Sequence, residues 1–217
     1  MRREIFFVLA LLLVLSLSLT GCGVGGIVGS VESYTWTPEN RPHIINCHIN
    51  NTAVTSLLKS GAAYAGGIAG DAEKSRIEGC TVKAAVGVPL KTIVKVENVA
   101  YAGGIAGHLA DKGEIIDCTF SDGKIEGGDL VGGIAGGIST ETLLLNCNVN
   151  NGEIIGNNMV GGIVGHAEAY KAQEIRNCGA SSSGNKVISS GAKDRICGDG
   201  NPNLTGTTTG NGFTLHP

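Results

Sequence analysis

Residues 103–107 read Gly-Gly-Ile-Ala-Gly, and the same phrase, with Ala or Val in fourth place, recurs through the chain. Its five copies begin at Gly25, Gly66, Gly103, Gly132 and Gly161, at intervals of 41, 37, 29 and 29 residues. Self-similarity at this period marks a stacked repeat protein, in which each repeat buries its apolar side only against its neighbours. A stack built for regularity need not converge side chains into a catalytic site, so the chain is not expected to be an enzyme: a binding or adhesion role is the first reading, with a glycan-active β-helix enzyme or a passive envelope component as the alternatives.

A second phrase travels with the first: IINCHI, IEGCTV, IIDCTF, LLNCNV and IRNCGA, centred on Cys47, Cys80, Cys118, Cys147 and Cys178. Three residues before each cysteine stand Ile44, Ile77, Ile115, Leu144 and Ile175; two after it stand Ile49, Val82, Phe120, Val149 and Ala180. Immediately before it stand Asn46, Gly79, Asp117, Asn146 and Asn177. Asn, Asp and Gly tolerate the left-handed backbone region, so this column predicts a bend. Side chains alternate along a plain strand. A bend here accounts for the mixed column Ile45, Glu78, Ile116, Leu145 and Arg176 lying exposed or half-exposed while the cysteines face inward.

Two short strands therefore meet at a corner, and a third is expected near Gly123 to Asp129 and Gly152 to Met159. No amphipathic helical period is found outside the N-terminal segment. The predicted fold is all-β, a single-stranded parallel β-helix, or solenoid, of about five coils with three strands each. In-register rungs about 4.8 Å apart turn every column into a ladder of like residues. Ile27, Ile68, Ile105, Ile134 and Ile163 should form one aliphatic ladder, and Cys47, Cys80, Cys118, Cys147 and Cys178 another.

The glycine phrase with its following Ile-x-Asn-Cys strand resembles the GLUG-motif repeats of bacterial surface and secreted proteins, among them adhesin-like proteins. The resemblance spans roughly Val24 to Ser183. It is good in the repeats from Gly103, Gly132 and Gly161 and looser in the first two. It implies a β-solenoid in an exported, cell-surface setting, and it implies no chemistry.

Residues 1–21 read as a signal peptide: Arg2 and Arg3, then an apolar run from Ile5 to Leu19, short of the roughly 20 residues that a membrane span needs. Leu19-Thr20-Gly21-Cys22 resembles the bacterial lipobox, whose cysteine becomes the lipidated first residue of the exported protein. Cys22 is thus the expected lipidation site, with the chain anchored to, and not spanning, a membrane of the bacterial cell envelope, at the outer membrane or cell surface. Residues 22–197 form the expected solenoid. Residues 198–217, rich in Gly, Asn and Thr, are a tail or a terminal cap.

Glycine supplies 35 of the 217 residues, more than twice its ordinary share, which suits close-packed turns. A net charge of −3 argues against a nucleic-acid partner, which requires a basic face. Six cysteines remain besides Cys22, and in an oxidising compartment an even number invites disulfides. Five of them share one repeat position, however, so buried free thiols are the first reading, rung-to-rung disulfides the second and metal binding the third. Zinc-type Cys-x2-Cys pairs are absent from the sequence.

The column Ser30, Asp71, His108, Gly137 and His166 follows the glycine phrase. It reads as a solvated turn position before it reads as a metal or acid/base site. Glu114, Asp117, Glu126, Asp129, Glu141 and Glu153 are scattered over different columns. No metal and no cofactor are implied. Insertions are the best functional lead, because they leave a solenoid as surface loops. The first, near Val31 to His43, carries Tyr34, the single tryptophan Trp36 and Arg41. These three are candidate contacts for a protein or glycan ligand, unless Trp36 caps the first coil. The second insertion, Ala84 to Val96, is aliphatic and suits an extra strand.

Overall fold

The computed structural model describes residues 22–33, 37, 40–56, 63–84, 91–96, 100–168 and 172–217. These residues form strands, turns and bends, with no helix among them. The chain winds as a parallel β-solenoid, as its periodicity predicts. Each rung carries five short strands, not three. In the rung from Ala100 they are Ala100–Gly103, Ala106–Ala110, Glu114–Ile116, Thr119–Ser121 and Gly123–Glu126. Equivalent strands stack into five sheets, four of them six strands deep and the fourth along the chain five deep. Every strand pair is parallel and pairs with the next rung, for example Tyr64↔Tyr101, Ile77↔Ile115 and Phe120↔Val149.

The three-strand expectation failed because the glycine phrase is itself a corner between two strands. In the first phrase column Gly66, Gly103, Gly132 and Gly161 have no space for a Cβ, which would overlap the carbonyl of the residue three positions on. The second glycines face the inward side chains of the fourth sheet: a Cβ on Gly104 would lie 2.7 Å from the Phe120 ring. The last glycines press on the first sheet one rung earlier. A Cβ on Gly136 would stand 2.5 Å from the Ala102 nitrogen and 2.6 Å from the Gly107 oxygen, and one on Gly107 would stand 2.5 Å from the Ala65 nitrogen. The backbones of the first and second sheets therefore interlock with an offset of one rung, and only hydrogen fits between them.

Between those glycines the isoleucines carry the main-chain ladder. Ile68 donates to the Ile105 carbonyl at 2.9 Å, Ile105 to Ile134 at 2.9 Å and Ile134 to Ile163 at 2.9 Å. Their side chains fill the core, and Ile68, Ile105, Ile134 and Ile163 are all fully buried. Ile27 occupies the same position in the first rung but is 52% exposed, because the stack ends there.

The bend before the cysteine is present throughout. Asn46, Asp117, Asn146, Asn177 and Gly79 all have φ between 53° and 64°. Their side chains form a ladder of their own: Asn146 donates to Asp117 Oδ1 at 2.9 Å, and Asn177 to Asn146 Oδ1 at 3.1 Å. A second left-handed column follows four residues after the cysteine, at Asn51, Asp122 and Asn151, with φ of 51–56°. It turns the chain into the fifth sheet.

The glycine phrases number five, yet the stack continues past the fifth. Lys193–Asp194, Cys197–Asp199, Asn203–Thr205 and Phe213–His216 add a further rung of four strands. Residues 198–217 thus supply most of this last rung. Ile196 accepts from Ile163 N at 3.0 Å, and Gly198 packs on the backbone of Met159 and Val160. Thr208 stands where a cysteine would, its hydroxyl accepting from Cys178 N at 3.3 Å. Nor is the second insertion an extra strand. Lys91–Val96 is the regular fifth-sheet strand of its rung, pairing with Val54–Ser56 and Gly123–Glu126.

Gly136→Ala should lower unfolding free energy by about 1–3 kcal/mol, as overpacking does, measured by chemical denaturation. Gly184 is exposed, and a Cβ there would meet only the end of the Asn151 side chain, at 3.1 Å. Gly184→Ala should therefore stay within about 0.5 kcal/mol. Equal effects would show that the corner has room for a side chain.

Candidate ligand-binding face

Tyr34 and Trp36 lie outside the described residues. The Arg41 side chain is 11% exposed, and its Nη1 lies 2.7 Å from Glu114 Oε1. Arg76 approaches the same carboxylate at 3.6 Å and also binds Glu78 at 2.8 Å. Arg41 thereby fastens the end of the first insertion across two rungs. The pair is largely shielded from solvent, and an ion pair is screened less there than at an open surface.

Glu126, Glu141, Glu153 and Asp117 also have partners. Lys124 lies 3.5 Å from Glu126 and 3.8 Å from Glu153, Lys186 lies 2.8 Å from Glu153, and Lys112 lies 3.8 Å from Glu141. Asp117 belongs to the asparagine ladder. Among the described residues no group of three or more His, Cys, Asp or Glu side chains is placed to hold a metal ion.

All six cysteines from Cys47 onward are free thiols. Cys80, Cys118, Cys147 and Cys178 are buried, while Cys47, in the first rung, and Cys197, in the last, are half-buried. Sulfur takes part in the main-chain ladder: Cys47 N donates to Cys80 Sγ, Cys80 N to Cys118 Sγ and Cys147 N to Cys178 Sγ, each at 3.4 Å. The thiols in turn donate to carbonyls, Cys118 to Ile116 at 3.2 Å and Cys147 to Leu145 at 3.4 Å. The hydrogen bond between Cys118 and Cys80, together with burial, holds the Cys118 thiol protonated. Burial does the same for Cys147, with help from Cys178. Burial also pushes Cys197 up to about 12, reinforced by the nearby Asp194 and Asp199 carboxylates.

The histidine column is more than a solvated turn. His108 Nδ1 lies 3.0 Å from Asp71 Oδ1, and His166 Nδ1 lies 3.1 Å from Asp199 Oδ2, each pair spanning adjacent rungs. The one-rung offset of the glycine corner brings a first-sheet side chain against each position. Tyr64 stacks on His108 with centroids 5.2 Å apart and planes 24° apart. Tyr101 lies 5.0 Å from Tyr64 and 5.2 Å from His108. A Cβ on Gly137 would stand 2.5 Å from the Tyr101 ring, so that glycine makes room for the ring. Tyr64, Tyr101, His108 and Asp71 are all half-exposed, on the outer edge where the first two sheets meet. Burial, with the Asp71 and Glu168 carboxylates, raises the Tyr64 phenol; burial, with Tyr64 and Glu168, raises that of Tyr101. Both hydroxyls therefore stay protonated at neutral pH.

The two tyrosines were not singled out from sequence, although Ala-Tyr-Ala-Gly precedes the phrase at both Ala63 and Ala100. That repetition is the signal that was available. What sequence does not carry is the offset that sets a tyrosine of one rung beside the histidine of the next.

A family model for the GLUG motif matches residues 98–126. The matched stretch contains the whole rung from Ala100 to Glu126, which has both Tyr101 and His108. No curated protein and no solved structure matches the chain.

Thiol labelling checks the cysteine column. In the folded chain Cys80, Cys118, Cys147 and Cys178 should stay unlabelled until denaturant is added. Cys47 and Cys197 should label slowly near pH 8, since their raised values leave little thiolate. The Cys197 rate should climb as pH rises toward about 12. Rapid labelling of the four buried thiols in the native state would contradict the packing.

Proposed function

We propose that this chain is a lipid-anchored solenoid of the bacterial cell surface with a binding or adhesion role. The observation that carries the reading is the join at Cys22. Cys22, the residue that the lipobox-like tetrad marks for lipidation, lies on the first described strand, Cys22–Gly25, and pairs there with Ala63 of the next rung. A lipid on Cys22 sets the first rung against the membrane with no spacer. The remaining rungs then extend by roughly 24 Å, at about 4.8 Å for each of five steps. The motif match within a β-solenoid supports a surface-type repeat protein.

Binding is favoured over catalysis by what the side chains are doing. The carboxylates of neighbouring rungs that a glycan-cleaving solenoid would need are paired with lysines and arginines. The aromatic edge is half-exposed instead.

Expression in a bacterial host with labelled palmitate tests the anchor. The wild-type chain should carry label and enter the detergent-extracted membrane fraction, and protease added to intact cells should cleave it. Cys22→Ser should lose both the label and the membrane association. A Cys22→Ser chain that stays in the membrane fraction, or a wild-type chain that takes no label, would refute a lipid at this residue.

A further inference from the structure

We propose that Tyr64, Tyr101 and His108, oriented by Asp71, form a stacking subsite for a neutral glycan. The inference deepens the binding role proposed above and rests on it.

The subsite is built before any ligand arrives. Asp71 fixes the imidazole through the 3.0 Å contact, Tyr64 packs nearly parallel to that imidazole, and Tyr101 lies in the space that Gly137 leaves. All three rings stand on the strands of the interlocked corner, the part of the rung with least room to adjust. A site held in this way loses little conformational freedom on binding.

Ring spacing and charge select the ligand class. A cation enclosed by aromatic faces needs those faces apart, with the charge within about 6 Å of each centroid. Here the centroids are 5.0 to 5.2 Å from one another, so the rings touch and enclose nothing. What they offer is an outward surface. Anionic ligands meet the carboxylates of Asp71, which pairs with His108 and acts on the Tyr64 phenol, and of Glu168, which acts on both phenols. A nucleic acid would also stack, but it requires basic side chains along its backbone, and the cluster contains no Lys or Arg. A neutral sugar ring satisfies every condition. Its C–H face lies on the negative face of an aromatic ring, and its hydroxyls reach the Tyr hydroxyls and Asp71. The same column continues upward to the partly exposed His166–Asp199 pair, two rungs above His108, which suits a chain of sugars and not a single one.

The test titrates the lipidated full-length chain, purified in detergent, with hexamers of β-1,4-linked glucose, β-1,4-linked N-acetylglucosamine and α-1,4-linked glucose. Oligogalacturonate serves as the anionic control. At least one neutral hexamer should bind, and the anionic one should bind more weakly. Tyr64→Ala and Tyr101→Ala should each weaken binding about tenfold or more. Tyr64→Phe and Tyr101→Phe, which keep the rings, should retain most of it. Should an alanine variant fail to fold, the ring resonances of Tyr64 and Tyr101 in the wild-type chain provide the second readout, and they should shift on titration. Binding that persists in folded alanine variants but is lost in Trp36→Ala would overturn the subsite and leave the binding role standing. Binding of a protein but of none of the neutral hexamers would overturn the glycan assignment alone. Absence of binding to any of these ligands or to host surfaces would overturn both.

Discussion

The exclusion of a Cβ at the glycine positions of the corner between the first two sheets, in the five rungs that carry the phrase, is the constraint on which the rest of the fold depends. In each of those rungs three glycines meet there, facing respectively their own strand turn, the inward side chains of the fourth sheet and, from the second rung on, the backbone of the preceding rung. The closeness of that last contact sets the offset between sheets. The offset in turn lets the isoleucine amides of one rung reach the carbonyls of the next at 2.9 to 3.0 Å. A repeat protein gains its stability from such neighbour-to-neighbour terms. Replacing one glycine therefore disturbs two rungs, not one.

Away from the corner the columns are more forgiving. The cysteine position requires a small group that can accept a main-chain N–H and donate to a carbonyl, and the last rung shows that a threonine hydroxyl does the same work. The bend position requires a left-handed backbone, which Asn, Asp and Gly all supply. At the ends the ladders run out. Ile27 in the first rung and Leu204 and Leu215 in the last hold ladder positions yet are 40 to 52% exposed.

Much of this was legible in the chain because a parallel in-register stack converts sequence alignment directly into spatial adjacency. Aligning on Gly-Gly-Ile and on Cys yields the isoleucine ladder, the thiol column and the Asn/Asp/Gly bend with the right residues. The fold class follows from them. The number of strands per rung was not legible, because a corner made of glycines has no alternation to betray it. The last rung escaped because Asp194 and Arg195 replace two glycines and only Ile196 and Gly198 remain of the phrase. The aromatic edge escaped for a different reason. Tyr64 and His108 are 44 positions apart and in different columns, and only the diagonal offset joins them. Arg41 had the composition of a ligand contact, but its partner Glu114 lies two rungs away, a distance that sequence does not show.

The proposed function uses the same geometry twice. A lipid on Cys22, as proposed, would sit on the first described rung, and the interlocked corner presents an ordered aromatic edge along its side. Both depend on rungs locked to one another at the glycine corner. Native-state hydrogen exchange on the Ile27, Ile68, Ile105, Ile134 and Ile163 amides tests that locking most directly. The account predicts the slowest exchange at Ile105 and Ile134, in the middle of the stack, with protection falling toward both ends as rungs open from the edges. Exchange at Ile105 and Ile134 as fast as at Ile27 would contradict it.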